Sequence, residues 1–358
     1  MSNNQKIFWL RSESKENEFR RALTPNDCVQ IIKEGHQVIV EDWKDSIIPT
    51  EEYKKSGCQI KPAGSWVESA PGSAIIIGLK ALPENIESFK HTHIYFAHCY
   101  KEQEGWMELM QKFHLGGGRI IDLEFMYDEN GRRTNAFGYW AGYVGAALGA
   151  LFSSAKDLEA AKDELKRLRQ FSDKSKLIDF VKSHSGSVGE AIVIGAKGRS
   201  GAGALDFLSS VDWKVTGWDQ AETSKGGPFS EILNYDLFVN CVLAMKPMAP
   251  FITKELIKTK NKKLKMISDV SCDPDSECNM VPLYERATNL EEPLVEVIKG
   301  EHSVHLCAID NLPSILPKES SFDFSSQLAP HIINFDENSG PIKGALEVFE
   351  KIGRPLKG

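Results

Sequence analysis

The sequence has little of several things that would each point to a class of protein. Its cysteines number seven in 358 residues: Cys28, Cys58, Cys99, Cys241, Cys272, Cys278 and Cys307. The count is odd and no two form a CxxC pair, so neither a disulfide framework nor a structural metal site is expected, and a reducing cytoplasm suits the pattern. Basic residues are not in excess: 43 Lys and Arg face 50 Asp and Glu, a net charge of -7. Such an acidic balance argues against a general binder of phosphate backbones, and no nucleic-acid partner is expected. Long apolar runs are missing too. The longest, Phe137–Phe152, is shorter than the ~18 residues of a membrane span and is rich in Gly and Ala, so a buried helix is expected there and no membrane partner. Residues Met1–Gln5 are polar and lack the apolar stretch of a secretory leader. There is no repeat of fixed period and no low-complexity tract. Hydrophobic residues nevertheless make up 41% of the chain. That is ample for a core and incompatible with disorder throughout. At roughly 100–200 residues per domain, the length suggests two.

The first third alternates short apolar strands with helices. Ile7–Leu10, Gln37–Val40, Gln59–Lys61, Ala74–Gly78, His93–Ala97 and Arg119–Asp122 read as strands. Asp27–Glu34, Glu51–Ser56 and Gly105–His114 read as helices, the first two closed by Gly35 and Gly57. This alternation favours a parallel sheet covered on both faces. In Phe137–Phe152, Gly138, Gly142, Gly145 and Gly149 recur at helical spacing. The face they form bears no side chains and suits close backbone approach, which suggests a helix crossing between domains. Ser153–Gln170 is expected as one amphipathic surface helix, with Leu158, Ala161, Leu165 and Leu168 on its apolar side. After a turn-like Ser183–Gly189 a second α/β unit begins. Its expected strands are Ala191–Ile194, Lys214–Trp218, Leu237–Val242 and Lys265–Val270, with a helix over Gly201–Ser209.

The segment Glu190–Asp219 carries the most specific motif. A strand leads into Gly195-x-x-Gly198-x-x-Gly201, then a helix, then a strand ending in Asp219. The first glycine permits a tight turn, and the next lets the backbone approach a pyrophosphate held at the positive end of the helix. Asp219 lies near the ~20 residues expected of the acid that bonds the adenosine ribose, and its charge would repel a 2′-phosphate, so NAD is expected over NADP. The second glycine comes one residue later than in GxGxxG. A glycine triplet is weak by itself, since tight turns in other α/β domains use it; its strand–turn–helix context strengthens it.

Three polar groups stand where strands of the first domain end. Lys80 follows AIIIGL, His98 follows IYFA and Glu124 follows IIDL. Catalytic groups of α/β folds collect at carboxyl ends of strands. A Lys and a His sharing a partly dry site lower each other's pKa, which poises either as a base near neutrality. Arg20, Arg21 and Arg133 are able to pair bidentately with carboxylates. Any one lysine after a strand is usually a surface residue, and spacing alone does not bring Lys80 to His98.

Ordered strings along the chain resemble a known family. LRSESKENEFRRALTP (Leu10–Pro25) is similar to the start of alanine dehydrogenase and of the transhydrogenase NAD-binding subunit. It is still more similar to NAD-dependent, lysine-forming saccharopine dehydrogenase. PAGSW (Pro62–Trp66), IIIGLK (Ile75–Lys80), FAHCYK (Phe96–Lys101), DLEF (Asp122–Phe125) and GRR (Gly131–Arg133) point the same way. So do AFGYWAGYVGAALG (Ala136–Gly149), ETSKGGPF (Glu222–Phe229), KPMAPF (Lys246–Phe251), DVSCD (Asp269–Asp273) and IDNLPSILPKESS (Ile309–Ser321). The resemblance spans about Leu10 to Pro330 and is poorest over Ser153–Ser187.

The resemblance implies two Rossmann-like parallel-sheet domains with a cleft between them. It gives a discontinuous substrate and catalytic domain, residues 1–135 plus about 318–358, and an NAD-binding domain, residues 136–317. It implies oxidation of saccharopine by NAD and water to lysine, 2-oxoglutarate and NADH, by a monomer. Lys80 and His98 would form the acid–base pair, with Arg20, Arg133, Phe137 and Glu124 lining the substrate site. The cofactor would be met by Gly195, Gly198, Arg199, Ser200, Gly201, Asp219, Thr223, Leu243, Val270 and the run Ile309, Asp310, Asn311 and Leu312. Ala81 stands where some relatives carry an acid, Asn311 where some carry His, and Ser200 where some carry Cys. Alternatives are an alanine dehydrogenase-like enzyme of the same fold and a non-catalytic NAD-binding regulator.

Overall fold

The computed structural model describes residues 5–100, 103–244, 246–259, 262–300 and 302–353. Lys101 of the FAHCYK string, the first four residues of the polar N-terminus and residues 354–358 lie outside these. The chain forms two units, one ending at Ala136 and resumed at Ser320, the other running from Phe137 to Glu319.

The first unit is a six-stranded parallel sheet. Its strands are β1 (Ile7–Leu10), β2 (Gln37–Glu41), β3 (Gln59–Lys61), β4 (Ile75–Ile77), β5 (Thr92–Tyr95) and β6 (Arg119–Asp122), in the order β3-β2-β1-β4-β5-β6. Helices α1 (Pro25–Lys33), α2 (Thr50–Lys55), α3 (Trp66–Ser69) and α4 (Trp106–Gly116) fill the crossovers. Thr24 caps α1, its side chain accepting from Asp27 N–H, and Pro25 starts the first turn, where a missing N–H costs nothing. The strand order reverses direction between β1 and β4. That switch point opens a crevice at the carboxyl edge, where ligands of such sheets bind.

The second unit holds α5 (Gly138–Ser154), α6 (Leu158–Leu168), α7 (Lys174–His184), β7 (Glu190–Ile194), α8 (Arg199–Ser210), β8 (Lys214–Trp218) and α9 (Gln220–Thr223). It continues with β9 (Leu237–Asn240), α10 (Lys254–Ile257), β10 (Met266–Asp269), β11 (Val295–Ile298) and β12 (Val304–Cys307). The sheet order is β11-β12-β10-β9-β7-β8, parallel except for β11. Ala191 and Val193 pack into the core on one face, and Ile192 and Ile194 into the core on the other. A strand buried on both sides reads as a continuous apolar run, as EAIVI does. From Pro317 the chain enters α11 (Pro317–Ile333) and then α12 (Gly340–Gly353), whose apolar face includes Ile342, Ala345 and Phe349.

Two helical expectations change. Ser153–Gln170 is not one helix: the chain leaves the helical path at Ala155, which bridges Ser185, and α6 starts afresh from its Asp157 cap. The glycine face, expected to meet another domain, finds its nearest neighbours within the second unit. A Cβ on Gly142 would overlap the Ser200 carbonyl, and one on Gly203 of α8 would overlap the Tyr139 carbonyl. Gly145 and Gly149 lie against Val270, Leu312 and Leu237. Among the described residues, no helix is long and apolar enough to cross a membrane.

Gly142→Ala should therefore lower stability by about 1–3 kcal/mol through backbone displacement. Gly344→Ala in α12, with nothing within 4 Å of the added carbon, should raise it by about 0.5–1 kcal/mol. Urea unfolding of the two variants measures both signs.

Candidate active site

The loops after β1, β4, β5 and β6 meet at the carboxyl edge of the first sheet. Pairing of β4 with β5 continues past the strands: Gly78 N–H donates to Ile94 O at 3.0 Å and Phe96 N–H to Leu79 O at 3.3 Å. Lys80 and His98 follow directly beyond these rungs on adjoining chains. His98 has φ of 49°. This left-handed conformation is uncommon for a residue with a Cβ and is held where surroundings enforce it, often at functional sites. Its ring stacks on Phe96 and is 60% exposed.

Glu124 stands on a 3-10 turn, Leu123–Phe125, whose first residues are fixed by Asp122: the Oδ1 atom accepts from Glu124 N–H at 2.9 Å. Its Oε2 lies 3.8 Å from His98 Nδ1. Arg133 is half-buried on the hairpin that follows, where it bridges Tyr127. Phe137 caps the start of α5.

Arg20 is buried, and Glu18 grips it bidentately, Nε to Oε1 at 2.7 Å and Nη2 to Oε2 at 2.5 Å. Burial raises the Glu18 pKa, but Arg20, with a contribution from the Lys80 charge, brings it down to about 2. Lys80 is thus within electrostatic reach of the Glu18–Arg20 pair. Arg21, by contrast, is spent on the fold. It donates to the carbonyls of Arg11 and Glu41 and to Ser46, and it stacks on Trp43 and Tyr53. Neither Glu18 nor its neighbours Arg11 and Glu13 stand out from sequence alone. Their signal is the set of charges packed into the loop that follows the first strand, at the switch point.

The second unit presents a cradle of the kind a dinucleotide needs. Gly195 ends β7 with φ of 90°, Gly198 caps α8, and a Cβ on Gly201 would overlap the Gly195 carbonyl. Gly195 faces Cys241 and Val242 after β9, across this sheet's own reversal of order. Arg199 and Ser200 open α8. Asp219 ties the turn to β8, its Oδ2 accepting from Lys197 N–H at 2.8 Å and its Oδ1 from Gln220 N–H at 2.8 Å. Those backbone donors lower its pKa. The Thr223 hydroxyl is buried and donates to the Asp219 carbonyl at 2.9 Å, behind the turn. Leu243 is 60% exposed on the loop after β9. Val270 follows β10, where Asp269 accepts from Asn240, Ser271 and Tyr284. Asp310 is exposed and Asn311 half-buried, whereas Ile309 and Leu312 belong to the core beneath them.

Residues 9–144 match the family model for the alanine dehydrogenase/PNT N-terminal domain. A saccharopine dehydrogenase (NAD+, L-lysine-forming) of Candida albicans is 40% identical over 98% of this chain and 98% of its own. That of Schizosaccharomyces pombe is 40% identical over 94% of this chain and 95% of its own. The chain belongs to the saccharopine dehydrogenase family. Among solved structures, an L-alanine dehydrogenase aligns with a TM-score of 0.65 at 17% identity, covering 98% of this chain and 99% of its own. A transhydrogenase from Sinorhizobium meliloti gives 0.60 at 13%, covering 95% and 97%. These two bear on the fold alone: paired Rossmann-type α/β units, as expected.

Glu18 ionises more readily in the fold than in the unfolded chain. Its stabilisation is present above the ordinary value of 4.5 and is lost as pH falls toward about 2. Glu18→Gln should therefore narrow the stability gap to the parent across that window. Urea unfolding at a series of pH values checks it; a gap that stays constant on acidification would contradict the assignment.

Proposed function

We propose that this enzyme oxidises saccharopine with NAD and water to lysine, 2-oxoglutarate and NADH, and runs the reverse as a reductive condensation. What carries the reading is the juxtaposition of the Lys80 and His98 loops on adjoining strands, beside the switch-point crevice, in a chain of this family. The glycine cradle and Asp219 fit the pyrophosphate and adenosine ribose of NAD. When bound, the cofactor supplies the acceptor for the hydride from the glutaryl α-carbon.

The residues of this chain supply binding and proton handling. Arg20, oriented by Glu18, and Arg133 pair with substrate carboxylates. Phe137, which caps α5, is assigned to substrate binding by the family resemblance. One of Lys80 and His98 takes the proton of the secondary amine as the imine forms, and the other assists the addition of water. Glu124 stabilises the His98 imidazolium as the proton arrives. The carbinolamine then collapses to the two products. Arg199, Ser200 and Thr223 serve the cofactor on the glycine-turn side, with Leu243, Val270 and the chain from Ile309 through Asp310 and Asn311 to Leu312 serving the nicotinamide half. The seven cysteines are free thiols, in keeping with a reducing compartment. A monomer acting in the cytoplasm completes the reading.

A positioned acid or base contributes about 10²–10⁴-fold. Lys80→Met combined with His98→Gln should nearly abolish saccharopine turnover while NADH fluorescence still reports binding. A double variant with near-normal kcat would overturn the assignment.

A further inference from the structure

Behind Lys80 lies a buried ion pair that no step above uses. Arg11 and Glu13 follow β1, with side chains 1% and 3% exposed and 2.9 Å apart. Glu13 accepts from two successive main-chain donors, Leu79 N–H at 2.7 Å and Lys80 N–H at 3.1 Å. Arg11 approaches the other side of the same residue, Nη2 donating to the Lys80 carbonyl. Its Nη1 holds Glu13 and the Ser12 carbonyl at 3.1 Å. The amide and the carbonyl of Lys80 are thus gripped by opposite members of one pair. The sequence keeps room for this at Gly78, where an added Cβ would overlap the Arg11 guanidinium.

Burying two charges is expensive, and apolar residues of similar volume often stabilise a fold as well or better. A pair spent on one short loop therefore calls for a task beyond cohesion. Lys80 is a long, flexible side chain whose reach is set by its main chain. Catalytic geometry tolerates little misplacement.

We propose that Arg11 and Glu13 are positioning residues for the reaction: reaching from the loop after β1, they fix the main chain at Leu79–Lys80 and so set where the Lys80 ammonium enters the site. This rests on the reading of Lys80 as a reacting group. Neither Arg11 nor Glu13 touches substrate; both act through Lys80.

The test compares full-length Glu13→Gln, Glu13→Asp, Gly78→Ala and Lys80→Met, with the Glu13→Gln/Lys80→Met double variant. Gly78→Ala keeps both charges but displaces the guanidinium, so it tests placement if Glu13→Gln folds poorly. Glu13→Gln and Gly78→Ala should each lower kcat about 10²-fold, with NADH binding unchanged. The limb of the pH–rate profile that Lys80→Met abolishes should shift in Glu13→Gln. Glu13→Asp should recover part of the rate. In the Lys80→Met background Glu13→Gln should cost nothing further, because the residue it positions is gone. Lys80→Met inactive beside fully active, folded Glu13→Gln and Gly78→Ala would overturn the positioning role alone, as would losses that multiply in the double variant. Normal turnover by Lys80→Met would overturn the reading of Lys80 and the positioning role with it.

Discussion

The first unit's site depends on the parallel pairing of β4 with β5. Parallel strands run level, so the chains leaving them emerge at one edge about 4.8 Å apart. The rung from Phe96 to Leu79 carries that pairing beyond the last strand residues, and Lys80 and His98 follow on either side of it. A slip of one residue would turn each apolar side chain of the strands to the opposite face. Because Ile75–Ile77 and His93–Tyr95 are buried, such a slip would exchange side chains between two packed faces and misfit both, and the core's register also becomes the site's register. β1 and β6 complete the arrangement with the charged loop of Glu18 and Arg20 and the short turn bearing Glu124.

The second unit solves a different problem, which is close approach. A pyrophosphate carries its charge against backbone, so the chain must come near without side chains intervening. Gly195 and Gly201 keep the turn free of side chains, a Cβ on Gly201 overlapping the Gly195 carbonyl. The same device recurs one layer away. Gly142 and Gly203 let α5 and α8 touch backbone to backbone, which fixes the helix whose first turn faces the glycine loop. Glycine therefore serves close packing both at the turn after β7 and between α5 and α8.

Strands β1 to β10 and the glycine turns were legible in the sequence because local signals decide them, whereas β11 and β12 were not. EAIVI and AIII are buried on both faces, and a continuous apolar run admits few other readings. The polar residues after IIIGL, IYFA and IIDL were legible for the same reason, since they interrupt those runs. What failed to show was tertiary. The break at Ala155 comes from a bridge to Ser185, thirty residues on, which no helical periodicity contains. The direction of the glycine stripe in α5 depended on α8, not on its own pattern. Arg21 reads as a carboxylate binder by residue type, yet two carbonyls and two aromatic rings claim it. Arg11, Glu13 and Glu18 look in sequence like a solvated charge run, and only folding buries them against Lys80 and Arg20. Ile309 and Leu312 stand in the string that the resemblance points to for the cofactor, but their side chains fill the core, with Asp310 exposed between them.

The most direct measurement is NADH formation by the purified protein, supplied with NAD and in turn with saccharopine, alanine or no amine. The account predicts steady NADH production with saccharopine, lysine and 2-oxoglutarate appearing in equal amounts, and none above background with alanine. Production from alanine and not saccharopine, or binding of NADH without turnover of either, would contradict it.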